Sequence, residues 1–463
     1  VSWVFVALIA YVSAQFAIGV WLSKRIATDT DYILAGRRLG PLLVAFSVFA
    51  TFFGAEAIVA TSGAVYEQGI AGATVDPFGY GAALLIVGLI FAGPLWRRGL
   101  VTFADLFRQR YSPGVEKLLV FILLPGSLFW AAAQIRAFGQ VLAGNSELGV
   151  TTAIILAALL IGGYSIVGGL LADSVTDLIQ GTILIAGLAI LVVVLAMSAP
   201  AAPEAATTAQ AASAGAAEPK GVLAFIESLL VPICGTVVSV EIISRFLGSR
   251  SASVAKVGTS SGAVLYVLVG LLPIALGLIG QRLLPGIEQS EQIVPRLAEA
   301  YLPGILRIAL AGALVSAILS AVHSILHGSA AQVSQNVIAR AVPGLGPVQR
   351  LWTVRATVLA LTLTAFFIAL TTDRIKELVE TASAFGSAGV FVAIVFGLFT
   401  RFGGPASAYA ALITGTAVWA LGRYVAEVET PYMIALAASF TAYVVFAVVE
   451  AAMSRRKMKE IAL

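Results

Sequence analysis

The stretch "SVFATFFGAEAIVATSGAVY", residues 47–66, decides how the rest of the chain is read. At about 1.5 Å of rise per residue it is long enough to cross the roughly 30 Å hydrocarbon core of a bilayer as a helix. Yet Gly54 and Glu56 sit at its centre, beside Phe52 and Phe53. A carboxylate in hydrocarbon is costly, and a glycine loosens a helix by about 1 kcal/mol relative to alanine. A helix with a backbone weak point and a charge at one depth is built for more than crossing.

The whole composition agrees with a membrane setting. Of 463 residues, 59% are hydrophobic and 11% charged, and the mean hydropathy is +0.99. A soluble domain of this size could not hide that much apolar surface, so the chain reads as an all-α integral membrane protein. The single cysteine, Cys234, excludes an intrachain disulfide and offers no metal cluster. A pI near 9.2 does not point to nucleic acid here, because the basic residues lie between apolar runs, where they report topology.

Apolar runs of about twenty residues give thirteen candidate transmembrane helices, numbered here as segments 1 to 13. They are 2–23, 41–68, 75–97, 115–144, 149–169, 171–198, 221–246, 254–283, 303–337, 350–371, 375–400, 404–424 and 431–453. No small-residue cleavage site follows segment 1, which therefore reads as retained rather than as a signal peptide. Most Lys and Arg follow odd-numbered segments: Lys24, Arg25, Arg37 and Arg38 after segment 1, and Arg97, Arg98, Arg108, Arg110 and Lys117 after segment 3. Arg245, Arg250 and Lys256 follow segment 7, Arg340, Arg350 and Arg355 follow segment 9, and Arg401 follows segment 11. The tail adds Arg455, Arg456, Lys457 and Lys459, while Lys220, Arg282, Arg296, Arg374 and Lys376 form a minority on the other side. The positive-inside rule then puts the N-terminus outside and the C-terminus in the cytoplasm of a plasma (inner) membrane protein. Residues 199–219, "APAAPEAATTAQAASAGAAEP", read as a flexible, low-complexity outer loop.

No nucleophile–base set or phosphate loop occurs, so an enzyme is not expected. His323 and His327, four apart, share a helix face and could in principle hold zinc. No carboxylate lies near them in sequence, so core packing or polar helix contacts are the better reading. Intramembrane polar groups are more telling, because each is expensive and tends to mark a pathway. Glu56 is in segment 2, and Trp130, Gln134 and Arg136 are in segment 4 within "FWAAAQIRAFG". Gln134 shares the Trp130 face and is the better contact; Arg136 either functions or snorkels toward water. Segment 6 opens with "LADSVTDLIQ", in which Asp173 reads as a helix cap and Asp177 as the stronger functional candidate. Glu241 and Arg245 are four apart in segment 7 and are expected to pair along the helix. Segment 9 carries "SAILSAVHSILHGSAAQVSQN", rich in hydroxyls for its depth.

The glycine-weakened segments 2 and 7 (Gly54, Gly235) fall five apart. Broken helices at matching places in two halves are the sequence pointer to transporters built from inverted repeats. At these residues the chain resembles the sodium:solute symporter family. The likeness runs through "GRRLGPL", "GAVYEQG", "VGGLLADSVTDLIQ", "SRFLGSRSASVAK" and "AGVFVAIVFGLFTRFGGPASAYAALITG". Through "GLIFAGPLWRRGLVTFADLFRQRYS", "FWAAAQIRAFG" and "YSIVGGLLADSVTD" it looks closest to the high-affinity choline transporter branch.

The resemblance implies a core of two inverted five-helix repeats of the leucine-transporter type. Residues 1–40 would form an extra span and linker, 41–198 the first repeat and 199–220 the outer loop. Residues 221–400 would form the second repeat, and 401–463 two further spans and a basic tail. It also implies a sodium site made by the carbonyls of Ala50, Phe53 and Ala317 and the hydroxyl of Ser320, with Asp177 on the ion route. A second hydroxyl position of the family is Ala321 here, and the family's aspartate before Ser324 falls on His323. Losing one oxygen weakens a site for a hard cation, so a proton carried through Glu56, Asp177 or His323 competes with sodium as coupling ion.

Phe52, Glu56, Tyr80, Trp130, Gln134, Gly235 and Thr236 are the expected solute contacts. Tyr80 and Trp130 match cage positions of the choline branch, but its segment-7 tryptophan is Ser239, so choline itself is not expected as the solute. The expected activity is sodium-coupled symport of a small polar organic solute, with no cofactor, and with the bilayer, the solute and Na+ as partners. Proton-coupled symport with a vestigial sodium site and a transporter-like solute sensor are the alternatives. Only ten residues follow segment 13, too few for a signalling module, which favours transport.

Overall fold

A computed structural model of the protein describes residues 3–24, 26–54, 56–144, 148–198, 221–371 and 375–461. The 199–219 loop, Arg25, Lys220, Arg374 and the side chains of Glu56, Lys376 and the basic tail lie outside the described residues. Among the described residues the chain is helical with no strand; a single parallel bridge joins Leu39 to Ser249.

Nine of the described helices are long and apolar enough to cross a bilayer, or ten if the bent pair Val222–Val237 and Val240–Leu247 counts as one. This makes the chain a multi-pass membrane protein. The figure falls short of thirteen because several expected spans are short or interrupted. Segment 2 contributes Pro41–Phe52 and Thr61–Gln68 as separate helices, and its second half runs into segment 3 as one apolar stretch, Ala57–Arg97. In lipid such interruptions are tolerated only where protein surrounds them.

Segment 9 is the central post. Its helix, Gly304–Gln332, is buried at every residue from Leu310 onward, and it packs on segments 4, 6 and 10. The helix Pro41–Phe52 of segment 2 lies against segments 6, 8 and 9 and against Val240–Leu247. Its contact with segment 8 is close because Gly258 and Gly262 carry no side chain. A Cβ at either would come within 2.7 Å of Val44 or of the Ala45 carbonyl, the small-residue spacing that lets membrane helices approach.

Two breaks open the middle of the bundle. Segment 2 leaves the helical path at Phe53 (φ −85°, ψ 62°), and the chain re-forms as a wide helical turn over Glu56–Ala60. Segment 7 bends by 43° at Ser239, whose backbone is extended (φ −69°, ψ 121°). The two breaks expected from Gly54 and Gly235 are therefore present, the second displaced a turn beyond the glycine.

A cavity and a charge cluster at the broken helices

A helix end leaves its last carbonyls without intrahelical partners. In Pro41–Phe52 the final donor is Phe53 N–H, which bonds to Phe49. The carbonyls that follow, Ala50 among them, are at the mouth of the break. Phe53, Ala317 and Ser320 are buried around the same region at 0%, 4% and 1% exposure.

One side of the breaks is a cavity between segments 2, 3, 4, 7, 9 and 11. Phe52, Tyr80, Trp130, Gly235 and Thr236, all expected contacts, line it. Phe52 lies edge-on to Tyr80 and to Trp130, with ring centroids 5.7 and 5.3 Å apart. Tyr80 Oη is 3.3 Å from Ser383 Oγ, which ties the wall to segment 11. Gln134 is not part of the wall, although it follows Trp130 by one turn. The Glu56 side chain, the seventh expected contact, is outside the described residues.

The wall also holds residues that sequence reasoning missed or read otherwise: Ser239, Glu241 and Phe385. Glu241 lies in the first turn of Val240–Leu247, where the helix dipole favours a carboxylate. Its expected partner, Arg245, turns away. The Arg245 guanidinium pairs with Asp173 of segment 6 and hydrogen-bonds to Ser324 Oγ, while its Nε donates to Thr51 Oγ1 at 3.2 Å. The local i,i+4 rule loses because Arg245 is fully buried, and a desolvated guanidinium goes where a buried carboxylate and hydroxyls enclose it. Asp173 is thus a buried ion-pair partner rather than a helix cap, and Glu241 has no ion pair among the described residues. Trp130 Nε1 and Thr236 Oγ1 are buried without hydrogen-bond partners among the described residues. Unsatisfied groups converging on a cavity are what a bound solute would satisfy.

The other side of the breaks is a polar cluster between segments 2, 6 and 9. Asp177, at 0% exposure, accepts from Ser47 Oγ at 2.5 Å and from Ser320 Oγ. Two of the expected ion ligands, Asp177 and Ser320, are thereby brought into contact. Asp177 is met by hydroxyls and by no cationic side chain among the described residues, since Arg245 is engaged by Asp173. With both carboxylates ionised, the single guanidinium would leave the cluster one positive charge short.

The histidines behave as core groups. His327 Nε2 lies 2.9 Å from the Tyr32 carbonyl, and His323 stacks edge-on to Tyr164 with its Nδ1 3.5 Å from Asp173 Oδ1. No metal-binding group of His, Cys, Asp and Glu occurs among the described residues. Arg136 is 8% exposed and donates to the Ala369 carbonyl at 2.9 Å, so it ties segment 4 to segment 10 instead of snorkelling to water.

Known proteins are similar to this chain over most of its length. The high affinity choline transporter 1 of Homo sapiens is 26% identical over 434 residues, covering 89% of this chain and 75% of that protein. The sodium/pantothenate symporter of Haemophilus influenzae is 25% identical over 377 residues, covering 78% and 77%. A solved structure of a Na+-coupled sialic acid symporter, substrate-bound and outward-open, superposes with a TM-score of 0.85 at 16% identity. It covers 97% of this chain and 98% of its own, so the fold is shared. These proteins are transporters, not enzymes. The model of the sodium:solute symporter family matches residues 32–415, from before the first break to within segment 12, and the chain belongs to that family.

Proposed function

We propose that the protein is a secondary active symporter that carries a small organic solute bearing an amino or ammonium group, driven by sodium. The observation that carries the solute class is Glu241: a carboxylate with no ion pair among the described residues, facing a cavity walled by Phe52, Tyr80, Trp130 and Phe385. Aromatic faces attract organic cations by about 0.5–2 kcal/mol each, and a carboxylate supplies the counter-charge. The aromatic wall differs from that of the choline branch at Ser239, so choline itself is not the expected solute.

Sodium coupling is supported by the family and by the charge deficit at Asp177. One monovalent cation beside Ser320 neutralises a carboxylate that the helices otherwise bury uncompensated. The breaks at Phe53 and Ser239 border both cavity and cluster, so solute and ion would be felt by the same two helices. Segments 2–6 and 7–11 would then rock as inverted repeats, with the N-terminus outside and the C-terminus in the cytoplasm.

Thermal stabilisation of the purified protein is measured over a panel of quaternary ammonium compounds, primary amines, amino acids, betaines, sugars and carboxylates, with and without Na+. Stabilisation by the cationic members, strengthened by Na+ and lost in Glu241→Gln, is the expected result. Stabilisation only by neutral or anionic members overturns the solute class. Uptake into proteoliposomes that ignores sodium but follows a proton gradient makes Asp177 a proton carrier. Binding without accumulation under either gradient makes the protein a sensor.

A further inference from the structure

We infer that the side-chain oxygen of Gln134 is a ligand of the coupling sodium ion, supplying the oxygen that Ala321 lacks. The inference rests on the sodium-coupled reading above. Gln134 is 3% exposed on the helix Pro113–Gly144. Trp130, one turn earlier, faces the cavity, whereas the Gln134 amide points at the break in segment 2. A Cβ built on Gly54 would lie 3.3 Å from Gln134 Oε1 and 3.4 Å from Ala321 Cβ. Segments 2, 4 and 9 therefore meet at one point, between the end of the Pro41–Phe52 ladder and the residue that follows Ser320.

At that point Gln134 Oε1 is buried with no hydrogen-bond partner among the described residues. An unpaired buried carbonyl oxygen is a standing cost, and the groups beside it cannot relieve it: Gly54 has no side chain and Ala321 ends in a methyl. A cation can. Sodium is a hard ion that takes carbonyl, hydroxyl and carboxylate oxygens alike. A neutral amide completes its shell without adding another charge to a core that already holds Asp173 and Asp177. Gly54 then has a second role beside loosening the helix. Its missing Cβ, which at 3.3 Å would press on the amide, leaves that oxygen room to reach the site.

The test uses the full-length protein in proteoliposomes, with sodium titrations of solute uptake and direct binding of radioactive sodium. The variants are Gln134→Leu, Gln134→Glu, Ala321→Ser and the double variant Gln134→Leu/Ala321→Ser. Gln134→Leu should raise the half-saturating sodium concentration about tenfold, the weight of one ion contact of roughly 1.4 kcal/mol, at unchanged solute half-saturation when sodium saturates. Gln134→Glu keeps an oxygen and should keep sodium binding. Ala321→Ser should lower the half-saturating concentration, and the double variant should return close to the parent value. Where Gln134→Leu does not fold, Gln134→Asn, which withdraws the oxygen by one methylene, takes its place. A shift in solute half-saturation with sodium unchanged makes Gln134 a solute contact, and no shift in either makes it a packing residue; both overturn the inference alone. Parent protein indifferent to sodium overturns the coupling reading and this inference together.

Discussion

Replacing Asp173 by asparagine isolates the most consequential interaction in the core. Arg245 is among the largest fully buried side chains of the described residues. Its charge is met by one carboxylate, Asp173, which is 1% exposed, and by the neutral hydroxyls of Ser324 and Thr51. Asp177 is occupied by Ser47 and Ser320. In Asp173→Asn the guanidinium stays buried with only neutral partners. Deleting one partner of a buried pair costs about 3–5 kcal/mol, against about 0–1 kcal/mol for an exposed pair.

His323 provides an internal control. Its Nδ1 is 3.5 Å from Asp173 Oδ1, so a carboxylate at position 323, where the family resemblance places an aspartate, faces the same guanidinium. The double variant Asp173→Asn/His323→Asp should recover about 3 kcal/mol of the loss, the lower end of the buried-pair range. The assay is reversible denaturant unfolding of the four proteins of this cycle in one detergent, followed by tryptophan fluorescence. Asp173→Asn within about 1 kcal/mol of the parent, the exposed-pair range, or a double variant no more stable than the single one would refute the reasoning. Either result would mean that Arg245 draws its counter-charge from elsewhere, Glu241 being the nearest alternative along its own helix.

Asp177→Asn removes the unmatched charge of the cluster and should abolish gradient-driven accumulation while solute binding in detergent persists; retained sodium-driven accumulation would disprove its role. Glu56→Gln should cut uptake at least about tenfold, the value of one charge-assisted contact. Near-normal uptake with unchanged pH dependence would leave Glu56 as a structural group of the bundle. For topology, cysteine introduced at Ser213 in a Cys234→Ala background should label from outside intact cells, and cysteines in the 98–114 loop should not. The reverse pattern would invert the orientation.

The sequence alone determined the class of the protein and much of the cavity. Twenty-residue apolar runs have one stable form in lipid, the helix, because every backbone polar group must be satisfied within its own segment. A glycine beside a carboxylate, and a second glycine five segments later, pointed to two breaks. Phe52, Tyr80, Trp130, Gly235 and Thr236 followed from those breaks and from the family resemblance, and they line one cavity. The assignment of partners was not legible. Glu241 and Arg245 are one turn apart, and the local rule pairs them, yet Arg245 goes to Asp173, 72 residues earlier in the chain. The same limit applies to Gln134. Helical spacing set its face relative to Trp130, but the rotation of about 40° over four residues was enough to turn it from the cavity toward Gly54 and Ala321. Spacing along a helix decides which side chains share a face. Which helix covers that face, and which buried charge finds which counter-charge, is decided by packing through space, where the most fully desolvated arrangement with satisfied partners prevails.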